Sequence, residues 1–415
     1  MSREPDTTET VSALERCIAV SVAEFAADHW GKRALLSSAA DLGRTFDDLF
    51  STEAADELLS VRGLRTPFIR MAKEGSVLAP SAFTAPGGYG AEVGDQVSSE
   101  KVLAEFAAGS TIVLQGLHRT WPPLQEFTRR LVAELGHPAQ VNAYITPASS
   151  RGFDPHYDVH DVFVLQIAGQ KRWVIHEPVH ELPFADEPWG DRRDAVAAQA
   201  AGDPAIDTVL SPGDALYLPR GWLHSATALV GTTIHLTIGM PAVTRADLAR
   251  DLIGRALRSD RLRTSLPLGI DLADPAQIAD DVRAAAEDLI ASLQGAADAS
   301  SVDEVAVRVG SRFRRSNRAE PVRPLHTVEV AAGLTGSDRV RWRDELHAVV
   351  REDAGQVAIV LPSKTVRLPV VALSAVQALH GGETLAVGSL PALDEDDAVV
   401  VVRRLLREGV LVPVP

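Results

Sequence analysis

The sequence is short of several things, and each shortage excludes something. It has one cysteine, Cys17, in 415 residues. No intramolecular disulfide can form, and metal centres built on several cysteine thiolates are ruled out. Basic residues are in deficit, 41 Lys and Arg against 56 Asp and Glu, so the formal charge is 41 − 56 = −15. A chain with this balance has no global electrostatic attraction to nucleic acid or to an anionic membrane. No apolar run approaches the roughly 18 residues that span a bilayer. The opening Met1-Ser2-Arg3-Glu4-Pro5-Asp6 is acidic and lacks the apolar core of a signal peptide. Solenoid repeats and low-complexity tracts are also missing. Aromatic residues are only 5%, yet hydrophobic residues reach 46% and charged residues 23%, which is globular and ample for a core. The expectation is a soluble cytoplasmic protein of two to three domains.

The texture changes along the chain. Residues 1–15 are polar and read as a disordered N-terminus. Residues 16–80 mix helical patterns, Ser12 to His29 and Thr52 to Leu59, with short apolar pieces. From Thr111 to His235 come short β-rich runs bounded by Gly, Pro and Asp: Thr111–Leu114, Val141–Ile145, Phe163–Ile167, Arg172–His176, Ala215–Leu218 and Thr233–Ile238. Strands this short and this closely spaced predict a barrel or sandwich, with one helix inserted at Pro123–Leu135. Arg245–Arg258 and Pro275–Leu293 then read as amphipathic helices, the first capped by Thr244. Arg315–Pro324 reads as a linker. Beyond it lie strands Val357–Leu361 and Thr365–Leu368, helices Ser374–Leu379 and Glu395–Glu408, and a last strand Val410–Val414. Acidic residues 394–397 suit the start of the second of these helices, and Gly409 suits its end. This order fits a small winged-helix-like domain. From Ser374 onward there are three basic and six acidic residues, so a structural or protein-contact role is expected there, not direct nucleic-acid binding.

The residues with the most chemistry are Asp154-Pro155-His156-Tyr157-Asp158 and, downstream, Pro219-Arg220-Gly221-Trp222-Leu223-His224. His156 and Asp158 are two apart, which on an extended strand puts both on one face. His224 arrives from another strand, and Gly221 lets the chain double back to aim it inward. Two neutral imidazoles and one carboxylate on one side of a metal leave the other positions open. That is the facial set of the non-haem Fe(II) oxygenases, although the donors also tolerate Mn or Co. Phe163 to Ile175 reads as a β-hairpin turning at Ala168-Gly169-Gln170. Lys171 and Arg172 open its return strand, and either cation could hold a carboxylate of a co-substrate. Alternation puts Lys171 with Trp173 and Ile175, and Arg172 with Val174. With apolar residues on both faces, it does not choose between them. His176 and His180 read as surface groups. His235 reads as a satisfied inward histidine, and His160 as a group that could face the cavity.

His156-Tyr157-Asp158, the run Asp161–Gln166, Gly169-x-Lys171-Arg172-Trp173, Pro219–His224 and His235-Leu236-Thr237 together resemble the JmjC/cupin 2-oxoglutarate oxygenases. Within that family they most resemble the ribosomal-oxygenase branch, which hydroxylates histidine or arginine side chains of ribosomal proteins. The resemblance covers about residues 140–240. It implies a mainly β catalytic core of the double-stranded β-helix type over 16–240. It further implies a helical dimerisation region and linker over 241–324, and a winged-helix-like domain over 325–415. It implies that His156, Asp158 and His224 ligate Fe(II). Lys171 falls at the family's position for the distal carboxylate of 2-oxoglutarate, with Thr237 adding a hydrogen bond. Asn142 and Tyr144 match a strand lining the site, with Tyr144 against substrate. Two positions depart from relatives. Val159 follows the ligand Asp158 where a second acid is expected, and Gly239 stands near the substrate where a serine is expected.

The function expected is therefore an Fe(II)-, 2-oxoglutarate- and O2-dependent hydroxylase of a protein side chain, acting as a homodimer on a ribosomal protein. Hydroxylation of a free amino acid or peptide, N-methyl-lysine demethylation, and a non-enzymatic cupin-scaffold binding module are the alternatives.

Overall fold

In a computed structural model, which describes residues 11–73, 75–90, 92–148, 154–296 and 299–414, the chain divides into two units, Met1–Ala242 and Val243–Pro415. The first unit carries strands β1 (Leu35–Ser37), β2 (Ile69–Lys73), β3 (Ser76–Val77), β4 (Thr84–Ala85), β5 (Gln96–Val97), β6 (Thr111–Leu114) and β7 (Gln140–Thr146). These are followed by β8 (Asp161–Ala168), β9 (Lys171–His176), β10 (Ile206–Leu210), β11 (Ala215–Leu218), β12 (Leu223–Ala228) and β13 (Thr233–Met240). Eight of them form one antiparallel sheet in the order β1-β11-β8-β13-β7-β6-β2-β3, and three form a second in the order β10-β9-β12.

Alternation of side chains builds two layers around the large sheet. Phe163 and Leu165 of β8, with Ile234, Leu236 and Ile238 of β13, pack against Leu124, Phe127 and Leu131 of the helix Pro122–Leu135. Val162 and Val164 of β8 point the opposite way. They meet Leu216 and Leu218 of β11, Trp173 and Ile175 of β9, and Trp222. The two sheets thus close on an apolar interior, while helices cover the outer face of the larger one. Each such side chain, fully buried, contributes about 1.5–3 kcal/mol. The β-core expected from the sequence is present, and the six β-rich runs all fall on strands.

Three expectations are corrected. The stretch Phe163–Ile175 is not a hairpin. β8 pairs with β11 and β13, whereas β9 pairs with β10 and β12 in the other sheet. Strands with apolar residues on both faces are buried on both faces, and the turn carries the chain across from one sheet to the other. The helix expected over Ser12–His29 is broken into a turn, a short helix Val22–Glu24 and a π-helical stretch Phe25–His29. Ser12 and Ser21 cause the break, since their hydroxyls accept from Glu15 N and Glu24 N and cap two separate turns. Of the expected disordered N-terminus, residues 1–10 lie outside the described residues. From Ser12 the chain is anchored, with Ala13 N and Leu14 N donating to the two Glu134 carboxylate oxygens at 2.9 and 2.7 Å. Cys17 is buried beside them, and burial pushes its thiol up to about 12, so it is inert at neutral pH.

The second unit begins with helices Arg245–Ala256, Pro275–Ala296 and Ala299–Ser316. Thr244 caps the first in a reciprocal box with Asp247: Thr244 N donates to the Asp247 carboxylate at 2.8 Å, and Asp247 N donates to Thr244 Oγ1 at 3.3 Å. The third helix runs into the start of the expected linker and leaves only 317–323 without regular structure before the helix Pro324–Ala332. Two three-stranded sheets follow, Leu385–Ala386/Arg339–Trp342/Leu411–Val414 and Val349–Asp353/Gln356–Val360/Thr365–Pro369. Helices Leu373–His380 and Glu395–Arg407 pack on them through Val376, Leu379, Val402 and Leu405. Asp394 caps the latter helix, accepting from Asp397 N at 2.8 Å, and Gly409 follows its end with φ +69°.

The crossing between the sheets turns on Gly169. Its φ is +65°, and a Cβ there would lie 2.4 Å from the carbonyl oxygen of Thr232. Gly169→Ala combines left-handed strain with a backbone clash, so a loss of about 2 kcal/mol or more is expected in denaturant unfolding. Wild-type stability would contradict this reading of the crossing.

Candidate metal centre

His156 and Asp158 lie just ahead of β8, and His224 is the second residue of β12. Backbone hydrogen bonds lock the two segments together. His156 N donates to His224 O at 3.2 Å and His224 N to His156 O at 2.8 Å, while Gly221 N donates to Asp158 O at 3.0 Å. One ligand atom from each of the three side chains lies within 4.8 Å of the others, and among the described residues this group has three members. His224 Nε2 is 3.8 Å from Asp158 Oδ2, and the two imidazole centroids are 4.4 Å apart.

The ring orientations suit a cation. His156 Nδ1 lies 2.7 Å from the Asp154 carbonyl and His224 Nδ1 lies 3.1 Å from the Trp222 carbonyl. A carbonyl only accepts, so Nδ1 carries the proton in each ring and the Nε2 lone pair is left for a metal. Electrostatics agree. Burial and the neighbouring His156 push His224 down to about 4, so it is neutral at physiological pH. Burial would raise Asp158, but the imidazoles of His224, His160 and His156 outweigh it and hold the carboxyl below its usual range. A neutral imidazole pair with one carboxylate fits Fe(II), Mn(II) or Co(II).

The structure separates the two cations that alternation left open. Arg172 faces outward and pairs with Asp207, its Nε donating at 2.8 Å. Lys171 faces the interior at 4% exposure. The register of β12 on β9 puts Ile175 opposite His224, Trp173 opposite Ala226 and Lys171 opposite Ala228, so Lys171 and His224 share a face. The Lys171 ammonium lies 5.9 Å from the Trp173 ring, and burial pushes it down to about 8. No carboxylate among the described residues pairs with it. Nearby, Trp173 Nε1 and His235 Nδ1 are buried without a hydrogen-bond partner. A cation and two orphaned ring nitrogens fit a polar, anionic ligand in the interior.

Across the interior, the sheet rows place the remaining predicted residues. Thr237 pairs with Asn142, His235 with Tyr144 and Gly239 with Gln140. Asn142 Oδ1 accepts from Gly116 N at 3.0 Å, which commits one of its polar atoms to the loop after β6. Tyr144 stacks flat on His235, with centroids 5.1 Å apart and an interplanar angle of 6°, and burial raises its phenol. His235 in turn meets Trp173 edge-on at 5.5 Å. It is inward but unsatisfied at Nδ1. Burial, then the Lys171 ammonium, hold it well below its usual value and therefore neutral. Gly239 leaves room for His160, because a Cβ at Gly239 would lie 2.7 Å from the His160 ring. His176 is a correction: it is buried at the end of β9, with Nδ1 unpartnered, where a surface group was expected. His180 is half-buried and faces Glu187 at 3.1 Å.

Sequence reasoning missed Arg70. It lies on β2 in the row Arg70–Val113–Tyr144–His235, its Nη2 is 3.5 Å from Tyr144 Oη, and its Nε is buried without a partner. No local motif marks it, since the only signal is the pairing of β2 with β6.

Lys171 makes a pH prediction. Its folded value, about 8, lies below the ordinary 10.5. Between those values the unfolded chain holds a proton that the folded chain has lost, so stability rises with pH across the window. Lys171→Met should therefore raise the unfolding temperature of the metal-free protein at pH 7, and the gain should fade toward pH 10. A variant no more stable than wild type at pH 7 would mean the ammonium is not buried as described.

Comparison with known proteins agrees with this geometry. Residues 120–248 match the family model described as a JmjC domain. The bifunctional lysine-specific demethylase and histidyl-hydroxylase NO66 of Drosophila persimilis is 40% identical over 154 residues, covering 35% of this chain and 20% of that protein. Ribosomal oxygenase 1 of Homo sapiens is 39% identical over 117 residues, covering 27% of this chain and 17% of that protein. The aligned region thus spans about a fifth of these relatives' length. The crystal structure of the Escherichia coli ribosomal oxygenase YcfD superposes with a TM-score of 0.52 at 17% identity, covering 95% of this chain and 98% of that one. That likeness is one of fold. Residues 120–248, which hold both ligand segments, thus carry a JmjC domain, and over that region the chain is similar to proteins named as ribosomal oxygenases and histidyl-hydroxylases.

Proposed function

We propose that the protein is an Fe(II)/2-oxoglutarate-dependent oxygenase that hydroxylates a histidine or arginine side chain of a ribosomal protein. The observation that carries this reading is a three-member ligand set whose His224 shares a face of the β interior with an uncompensated lysine. In this reading His156, Asp158 and His224 hold the metal. Lys171 takes the distal carboxylate of 2-oxoglutarate, and Thr237 adds a hydrogen bond. Bound iron, 2-oxoglutarate and O2 supply the oxidising chemistry, releasing succinate and CO2 as one oxygen atom is added to the substrate. The protein's own contribution is to orient and to exclude water. Tyr144, buttressed by His235 and joined by Arg70, faces the target side chain, and Asn142, paired with Thr237, lines the co-substrate side. Gly239, having no side chain, leaves that part of the wall to His160. A further solved structure of the Escherichia coli protein, in complex with cobalt and 2-oxoglutarate, supports the choice of co-substrate by analogy of fold.

The same reading assigns 16–240 to catalysis, 241–324 to a helical dimerisation region and linker, and 325–415 to a winged-helix-like domain. Exposed apolar residues on the helices support a homodimer, among them Leu248, Ile253, Leu257, Val282 and Ile290. The same reading gives a cytoplasmic site of action. No helix among the described residues is long and apolar enough to cross a membrane. The relative named for both activities keeps lysine demethylation as the second reading. Hydroxylation of an N-methyl carbon at the same centre would release formaldehyde.

Incubation with Fe(II), 2-oxoglutarate and total ribosomal proteins should form succinate and add one oxygen atom to a histidine or arginine, located by fragment mass spectrometry. Formaldehyde release from a methylated lysine peptide, without that mass gain, would favour the second reading. His156→Ala and Asp158→Ala should reduce turnover to background. Lys171→Ala should raise the KM for 2-oxoglutarate about 10- to 100-fold, the loss of one charge-assisted contact. An unchanged KM would contradict the role given to Lys171.

A further inference from the structure

Between β9 and β10 the chain makes a long excursion, residues 177–205, that pairs with neither sheet and contains the helix Arg193–Ala200. Its contacts converge on the backs of the metal ligands. Tyr157 lies between His156 and Asp158 in sequence, and with alternating side chains it points away from them. Leu223 precedes His224 and does the same. These two side chains, each 1% exposed, pack with Val196 of the helix, and Val159, Val179 and Trp189 flank them. One small apolar cluster therefore stands behind all three ligand side chains.

Polar contacts fix the register of the excursion. Tyr157 Oη donates to the Glu187 carbonyl at 3.0 Å. The Glu187 carboxylate accepts from Phe184 N at 2.9 Å and faces His180 Nε2 at 3.1 Å, closing the turn 180–187. That turn lies on Gly221, where φ is +90° and a Cβ would sit 2.5 Å from the His180 carbonyl oxygen. The ring centroid of Trp189 lies 6.2 Å from that of His156, and the Arg193 guanidinium lies over the Trp189 ring at 4.9 Å.

We propose that the 177–205 excursion is a positioning device for the metal ligands. Val196, Tyr157 and Leu223 form an apolar backstop that sets His156, Asp158 and His224 before metal binds, and Tyr157 is the residue that couples the excursion to the site. Tyr157 and Leu223 meet Val196 with side chains that alternate away from the ligands, so this cluster acts through the ligands and not on substrate. The inference rests on the metal assignment made above.

The test is titration of the full-length metal-free protein with Co(II) under anaerobic conditions, following the visible d–d bands. Two conservative variants are compared with wild type: Tyr157→Phe, which removes only the hydroxyl, and Val196→Ala, which is remote from the metal. Both should raise the Kd for Co(II) about 10-fold or more, the range seen when groups that orient metal ligands are removed, and both should shift the d–d bands. The unfolding temperature of each metal-free variant is measured alongside. A wild-type Kd and spectrum in both variants would overturn the proposal. So would a loss of binding no larger than the unfolded fraction explains. Failure of the wild-type protein itself to bind Co(II) would instead overturn the metal assignment.

Discussion

A lysine ammonium inside a β interior, with no carboxylate among the described residues to neutralise it, is the constraint around which this site is arranged. A buried charge of this kind is costly, and its value near 8 expresses that cost. Stable proteins keep such groups where an anion completes them. Here Lys171 shares its face with His224, and the aromatic rings of Trp173, His235 and Tyr144 line the space beyond it. The apolar layer of Val162, Val164, Leu216 and Leu218 lowers the local dielectric, which strengthens any contact with an incoming carboxylate.

The second requirement is that three ligands from two distant chain segments meet within coordinating reach of one cation. Backbone bonds between His156 and His224, and from Gly221 to Asp158, tie the two segments together. Carbonyl groups then set the rotation of both imidazoles, so the ligand atoms are aimed before any metal arrives. The order of cause runs from chain to chemistry. Period-2 alternation sends one set of residues to the helices and the other to the interior. Antiparallel register aligns Lys171 with the His224 face, and a tight turn at Gly221 brings His224 back toward Asp158.

Much of this was legible in the sequence, for identifiable reasons. His-x-Asp on an extended segment and a distant Pro-x-Gly-x-x-His are local patterns, and local patterns survive without coordinates. The six β-rich runs, the Thr244 cap, the acidic start of the last helix and the glycine after it are local as well. What depends on long-range pairing was not legible. The supposed hairpin at Gly169 is a crossing between sheets because β8 and β9 find different partners, which their own residues do not specify. The choice between Lys171 and Arg172 needed the face of β9 that meets β12. Arg70 reaches the site only through two intervening strand pairings, and the apolar cluster of Tyr157, Val196 and Leu223 joins three segments spread over almost seventy residues. His176 looked exposed because it ends a strand, yet the neighbouring strands bury it.

The most direct test of the account is an anaerobic titration of the metal-free protein with Fe(II) and then 2-oxoglutarate, followed by visible absorption. A metal-to-ligand charge-transfer band should appear only after the second addition, and it should be absent in His156→Ala. Iron binding without the band would mean that 2-oxoglutarate does not chelate at this centre, and an absence of iron binding would contradict the metal site itself.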